Sequence, residues 1–462
     1  MKLITENLST SNLIIHTVFA ISLTLILSLL KIPALFLHGL HTYIHPDDVN
    51  PNATTSTSSG IRAAIRRPGA TDSEHPKPRK KSKERFEFDE SKAQIFRLKL
   101  TEGHLQSRIY FADFYSAFNF TIIGFLSLLL HRFLTVDKDS GVVKNGTIIP
   151  LLLGLVGVSR VFFLIARVGF VKSASKRSER QLGFVCGFLG FLLGLVIAFG
   201  VVPDSILDFS FESLDGLGKF FLAVFMGCIM GCLYIPALRH ARAFWLGTDQ
   251  IRCDLSIISC GWLSRMLIYA TYIMAVFTSL LWISPFADLL INSKIGGSNR
   301  SHMTRNKRQV IEIAGRFGMS RSSFDNLRNW CLFTTGMLQF LTVRPNIQLF
   351  LNEAVLCWYQ RLHASKVPDL DYSRAKVFLH NHYLCLAVVQ FFAPAMMVLL
   401  LLGLSRLDDN FLKGIYWIRD SSFCSTLVKE VALFMAWWII FIWSVLSSAI
   451  LVLYRHGTLY VS

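Results

Sequence analysis

Charged side chains are scarce in this sequence. Asp, Glu, Lys and Arg make up 17% of its 462 residues, and acids are the scarcer sign, 30 against 47 Lys and Arg. An ordinary soluble domain is about a quarter charged, so the composition argues against a soluble enzyme and for a chain that uses a bilayer as its solvent. Paired cysteines are lacking too. There are nine, an odd number, and all but Cys424 (Cys186, Cys228, Cys232, Cys253, Cys260, Cys331, Cys357 and Cys385) lie in or beside apolar stretches. That excludes a secreted disulfide framework and leaves them as small packing residues. No GxGxxG fingerprint, P-loop, nucleophile elbow or HExxH occurs, and no polar loop could enclose a catalytic core of its own. Acids are almost absent from the apolar runs, so the carboxylate clusters of intramembrane chemistry are missing as well. The expectation is a non-enzymatic protein with no catalytic, cofactor-binding or metal residue to name.

What is present is apolar: 52% hydrophobic residues, 38 of them Phe, with a mean hydropathy of +0.46. A hydrocarbon core about 30 Å thick takes about 20 residues of helix. Runs of that kind lie near Leu13–Leu35, Phe111–Leu130, Ile148–Phe170, Leu182–Val202, Phe220–Leu238, Leu263–Ile283, Trp330–Val343, Val377–Leu404 and Val431–Tyr454. The seventh is short and runs into Arg344-Pro345, so it reads as a half-span or as a helix that bends into the next. The expected fold is all-α, a polytopic helical membrane bundle of eight to ten transmembrane helices with one long disordered basic loop. Residues 1–50 hold the first helix and its membrane-proximal segment, 51–106 the polybasic loop, and 107–462 the multi-pass domain.

Charge sets the orientation. Between Ile61 and Arg85 the bases are Arg62, Arg66, Arg67, Lys77, Arg79, Lys80, Lys81, Lys83 and Arg85, and the acids only Asp72, Glu74 and Glu84. The positive-inside rule puts this loop in the cytoplasm and the N-terminus outside. Lys172, Lys176, Arg177 and Arg180 then fall inside, Asp204, Asp208, Glu212 and Asp215 outside, and Arg239, Arg242 and Arg252 inside, all in agreement. The basic stretch Asn292–Arg328 falls outside, against the rule. A competing reading takes Leu13–Leu30 as the apolar region of a signal peptide. The basic loop is expected to meet anionic lipid headgroups rather than nucleic acid, and Ser82 within it could act as an electrostatic switch if phosphorylated.

Several residues stand out. Gly183, Gly187, Gly190 and Gly194 recur at helical spacing and mark a close helix contact, as do Gly227 and Gly231. Asn7 and Asn145 open glycosylation sequons. His38, His41 and His45 share a helical spacing, but His45 precedes Pro46, which takes it out of helical geometry. His380, His382 and Cys385 offer only a pair on one face, too few for zinc. Ile347, Phe350, Leu351, Ala354, Val355, Trp358 and Leu362 alternate with Gln348, Asn352, Glu353, Gln360 and Arg361 as an amphipathic helix at the interface or lining the bundle. Arg160 and Arg167 are seven residues apart, about 10 Å along one helix face. Asp113 enters the membrane at the depth of Arg167 and is its natural partner. Arg160 is left near the midplane, where Gln339, Gln390, Tyr269 and Tyr272 are the polar neighbours available. It either lines a hydrated cavity or binds backbone carbonyls to hold helices in register.

The motifs Tyr43-Ile44-His45-Pro46-Asp47, Ala112-Asp113-Phe114, Ser178-Glu179-Arg180, Lys219-Phe220-Phe221-Leu222-Ala223, Pro236-Ala237-Leu238-Arg239, Arg344-Pro345-Asn346-Ile347-Gln348-Leu349-Phe350-Leu351-Asn352 and Gln390-Phe391-Phe392-Ala393-Pro394 resemble, in order, stretches of the transmembrane protein 161 family. The likeness runs from about Tyr43 to Leu400. It implies a multi-pass membrane protein without established catalytic activity, at the plasma membrane or an endomembrane. Animal members of the family are associated with restraining calcium and potassium currents and with tolerance of oxidative stress. The basic Asn292–Arg328 loop departs from the family pattern, as does Arg160, where the family carries lysine. The expected function is therefore regulation of ion transport through contacts with channels or pumps. A carrier or channel with a polar cavity around Arg160 is the alternative.

Overall fold

The computed structural model describes residues 2–44, 65–66, 87–88, 95–136, 147–169, 171, 177–201, 203, 206–209, 214–248, 260–291, 320–364, 370–407 and 421–459. Most of the polybasic loop, Ser82, His45, Asn145 and the stretch 292–319 lie outside the described residues.

The chain is all-α in its bulk. Helices α1 (Lys2–Leu29) and α2 (Ile32–Leu37) lead into strand β1 (His41–Ile44). Two-residue strands β2 (Ile65–Arg66) and β3 (Glu87–Phe88) pair with each other, and β4 (Phe96–Lys99) returns antiparallel to β1 with His41 opposite Lys99. The short α3 (Glu102–Gln106) precedes the bundle helices α4 (Phe111–Val136), α5 (Ile148–Gly169), α6 (Arg177–Ala198), α7 (Gly216–Thr248) and α8 (Trp262–Leu280). After α9 (Ser284–Leu290) come α10 (Arg321–Leu341), α11 (Val343–Leu362), α12 (Asp371–His382), α13 (Leu384–Leu404) and α14 (Ser421–Arg455).

Eight of these helices are long and apolar enough to cross a membrane: α1, α4, α5, α6, α7, α8, α13 and α14. Helix α10 runs the same distance without meeting that standard. Its 21 residues rise about 30 Å, but its first turns carry Arg321, Asp325 and Arg328. The expected seventh run began only at Trp330 because those charges hide the helix start from a hydropathy window. The two ends of α10 fix its course. Asp208, in the turn after α6, is paired with both Arg321 and Arg328. The far end passes through Thr342 directly into α11, which packs on β1. Counting α10, nine described helices run between the Asp208 end and the strand end.

Helix α13 forms the axis of the bundle. Its sequence is apolar all round apart from Gln390, as a helix without a solvent face must be, and every residue from Leu384 to Leu402 is buried. Lipid is as apolar as leucine, so its central place rests on van der Waals packing rather than on escape from water. Phe118 and Phe392 stack at 5.3 Å, Phe114 and Phe340 meet the same ring, and Phe434, Trp437 and Trp438 fill the α14 side.

Polar side chains within the bundle stitch helix to helix. Thr278 of α8 meets Thr335 of α10 at 2.8 Å, Ser279 meets Ser444 of α14 at 3.1 Å, and Trp437 Nε1 donates to the Ser279 carbonyl.

Candidate functional site

The strand end is built on hydrogen bonds between segments more than 300 residues apart. Gln348 of α11 treats β1 as a neighbouring strand would: its Oε1 accepts from the His41 N–H at 2.9 Å, and its Nε2 donates to the His41 carbonyl at 3.1 Å. Asn381 of α12 donates to the Tyr43 carbonyl at 2.5 Å and accepts from the Thr42 hydroxyl. The Tyr43 hydroxyl reaches Asn352 at 3.1 Å, and Arg344 caps the His38 carbonyl at 2.8 Å. Gln348 and Asn381 thereby satisfy backbone groups of β1, each of which would cost about 1–3 kcal/mol if buried without a partner.

Beside this clamp lies a buried ion network. Glu353 on α11 is only 3% exposed. Its Oε1 is 3.4 Å from Arg242 Nη1 of α7 and 3.4 Å from Lys376 Nζ of α12. Arg242 also donates through Nε to the Tyr454 hydroxyl of α14 at 3.1 Å and stands 4.0 Å from Glu179 of α6. One turn earlier on α7, Arg239 lies 5.1 Å from the centroid of Phe350, which stacks on His380 at 4.5 Å. Helices α6, α7, α11, α12 and α14 thus meet around Glu353 and Arg242.

Burial alone would raise the Glu353 carboxyl, but Arg242, His380 and Lys376 outweigh it and hold the group below its ordinary value. Burial lowers the His380 imidazole to about 4, against the opposing pull of Glu353 and of the Lys376 carbonyl. Between pH 6.5 and about 4 the unfolded chain binds a proton at His380 that the fold does not, so stability falls as pH drops through that window. Glu353 works in the same direction lower down: its contribution is present above the ordinary carboxylate value and is lost as pH falls through its depressed one. The melting temperature of the solubilised protein is expected to fall across this range, and His380→Asn is expected to flatten the upper part of the fall. A profile unchanged by that substitution would contradict the assignment.

The opposite end carries a second network. Asp208 pairs with Arg321 and, at 2.6 Å, with Arg328 Nη1. Burial would raise the Asp208 carboxyl, and the two guanidiniums hold it low instead. Arg328 is 5% exposed, donates to the Leu281 carbonyl at 3.0 Å, and lies over the rings of Phe324 and Trp282 at 4.5 and 5.2 Å. The basic stretch that conflicted with the charge rule therefore ends in arginines matched to an acid of the α6–α7 turn.

The residues singled out from sequence fall in several places. Arg167 Nη1 and Asp113 Oδ2 are 3.5 Å apart, joining α5 to α4 at the bundle edge, with side chains 55% and 30% exposed. An exposed pair of this kind contributes about 0.2–1 kcal/mol. Asp113→Asn should leave thermal unfolding within about 1 kcal/mol of the parent, and a loss several times larger would mean that this pair anchors the two helices.

Arg160 is not buried between the helices. It is exposed, with Nη2 3.3 Å from the Ser116 hydroxyl. The cause is the small-residue face of α5. Gly154 and Gly157 admit Leu404 and Leu400 of α13, which turns Arg160 toward the edge. None of Gln339, Gln390, Tyr269 or Tyr272 is its partner in that contact.

Gly183, Gly187, Gly190 and Gly194 face α7, where a Cβ at Gly194 would come 2.9 Å from the Ala223 Cα and one at Gly190 2.7 Å from Met230. This glycine face is thus used within the chain and is not open to a partner. Asn7 lies within α1. His41 belongs to β1 rather than to a helix, and His382 stacks on Phe378 at 5.5 Å.

Glu353 and Arg242 were not foreseen as partners. Helix α11 reads as amphipathic, yet the middle of its polar side, Asn352 and Glu353, is buried along with the apolar one, because β1, α12 and Arg242 cover it, while Gln360 stays exposed. The available signal was a lone acid in a helix of polar amides, set against Arg239 and Arg242 one turn apart.

No solved structure matches the chain. Residues 215–411 match the family model described as predicted transmembrane protein 161AB, the family that the motifs resemble.

Proposed function

We propose that this multi-pass membrane protein is a non-enzymatic regulator of ion transport, acting on calcium and potassium currents through contacts with channels or pumps rather than by conducting ions itself. The observation that carries the reading is the filled centre. Helix α13 is buried along its length among aromatic and aliphatic side chains, and the charged networks sit at the two ends. A carrier needs polar or ionisable groups converging on a route at mid-depth. The hydroxyls of Thr278, Thr335, Ser279 and Ser444, beside the last turn of α8, are engaged in holding α8, α10 and α14 together.

The glycine faces are occupied, so partner contact falls to the lipid-facing surfaces and to the loops at the strand end. On α6 the face away from α7 exposes Phe184, Val185, Phe188 and Leu192. The test is electrical. In cells that express the chain, its removal should increase whole-cell calcium or potassium current density, and re-expression should restore it. Currents unchanged by removal would overturn the regulator reading.

A further inference from the structure

At the Asp208 end, α4, α10 and α13 leave a cavity of about 290 Å³. Its lining is graded by depth. Arg132 of α4, Asn326 of α10 and Arg406, just beyond α13, stand at the mouth. Seven residues deeper on each segment come Phe125, Phe333 and Leu399, about 10 Å below at 1.5 Å per residue. Three segments thus present the same order, polar at headgroup depth and apolar beneath it. Trp330, 67% exposed, flanks the opening as aromatic residues do at a membrane interface.

The mouth is also electrostatically suited to an anion. Burial and the nearby positive charge of Arg132 both disfavour the charged form of Arg406, and only the field of Asp325 opposes them. The Asp325 carboxylate lies 3.6 Å from each of Arg321 and Arg328, so its charge is shared with those two. A negative group between Arg132 and Arg406 would relieve their repulsion and take charge-assisted bonds from both.

We propose that this cavity holds one anionic phospholipid, with its phosphate between Arg132 and Arg406 and an acyl chain against Phe125, Phe333 and Leu399. The site differs from the polybasic loop, which lies in another part of the chain and was expected to meet headgroups only. It requires both the guanidiniums and the apolar shaft, so a soluble phosphate ester should not substitute for the lipid.

The test uses the full chain, delipidated in detergent and offered phosphatidylglycerol or phosphatidylcholine, with retained lipid counted by native mass spectrometry. Phosphatidylglycerol should be retained preferentially. Arg132→Gln and Arg406→Gln should each weaken that retention about fivefold. Leu129→Trp, which narrows the mouth from a partly exposed position while keeping both arginines, should weaken it as well. Glycerol phosphate should not displace the lipid. The proposal is overturned if the arginine variants melt as the parent does and retain as much phosphatidylglycerol. Should those variants unfold, undiminished retention by Leu129→Trp overturns it. Displacement by glycerol phosphate would mark a free-phosphate site and overturn the lipid assignment.

Discussion

Glu353→Ala is expected to lower the stability of the solubilised protein by about 3–5 kcal/mol, the cost of leaving buried cations without their counter-charge. The substitution strands Arg242 and Lys376, both 3.4 Å from the lost oxygen. The damage should reach beyond α11, since Arg242 also touches Tyr454 of α14 and Glu179 of α6. Glu353→Gln keeps the shape and one acceptor and should lose less. Tryptophan fluorescence during thermal or denaturant unfolding reads both variants. A Glu353→Ala protein within about 1 kcal/mol of the parent would mean that the cations had found water, as exposed pairs do, and that the network does not join the helices it touches.

The second large effect is at the α6–α7 contact. A Cβ at Gly227 would fall 2.8 Å from the Gly187 carbonyl oxygen and 2.9 Å from the Phe191 amide nitrogen. These are backbone atoms and cannot turn aside, so Gly227→Ala should cost about 1–3 kcal/mol through forced separation of the helices. Gly227→Leu should prevent α6 from seating, and the protein should fail to accumulate in the membrane. Gly216→Ala at the start of α7 is the control, because nothing lies within 4 Å of its Cβ position. Equal accumulation of Gly227→Leu and the parent would contradict the close packing.

The architecture was largely legible in the sequence because apolar length and charge sign are local properties. Leu384–Leu404 is apolar on every side but for Gln390, which marked it as a span; its place at the axis was not legible, because lipid is as apolar as a protein interior. The glycines of α6 were recognisable as a packing face, since their spacing repeats with the helix. The start of α10 was not legible. Arg321, Asp325 and Arg328 look like loop charges until Asp208 is seen beside them, and that partner lies more than 100 residues away. The Glu353 network escaped for the same reason: the acid, Arg242 and Lys376 sit on three helices, and no spacing within one of them announces the meeting. Arg160 misled in the opposite direction. Its azimuth on α5 is set by Gly154 and Gly157 turning toward α13, a preference visible only once α13 is known to be the axis.

The central claim is that the bundle is filled along its axis and acts on transport through others. The purified chain reconstituted alone into liposomes tests it most directly, with entrapped indicators for calcium and potassium. The account predicts leakage no faster than from protein-free vesicles, including in Gln390→Ala, which alters the one polar side chain of α13. Calcium or potassium flux that scales with the amount of protein, without any partner present, would contradict it.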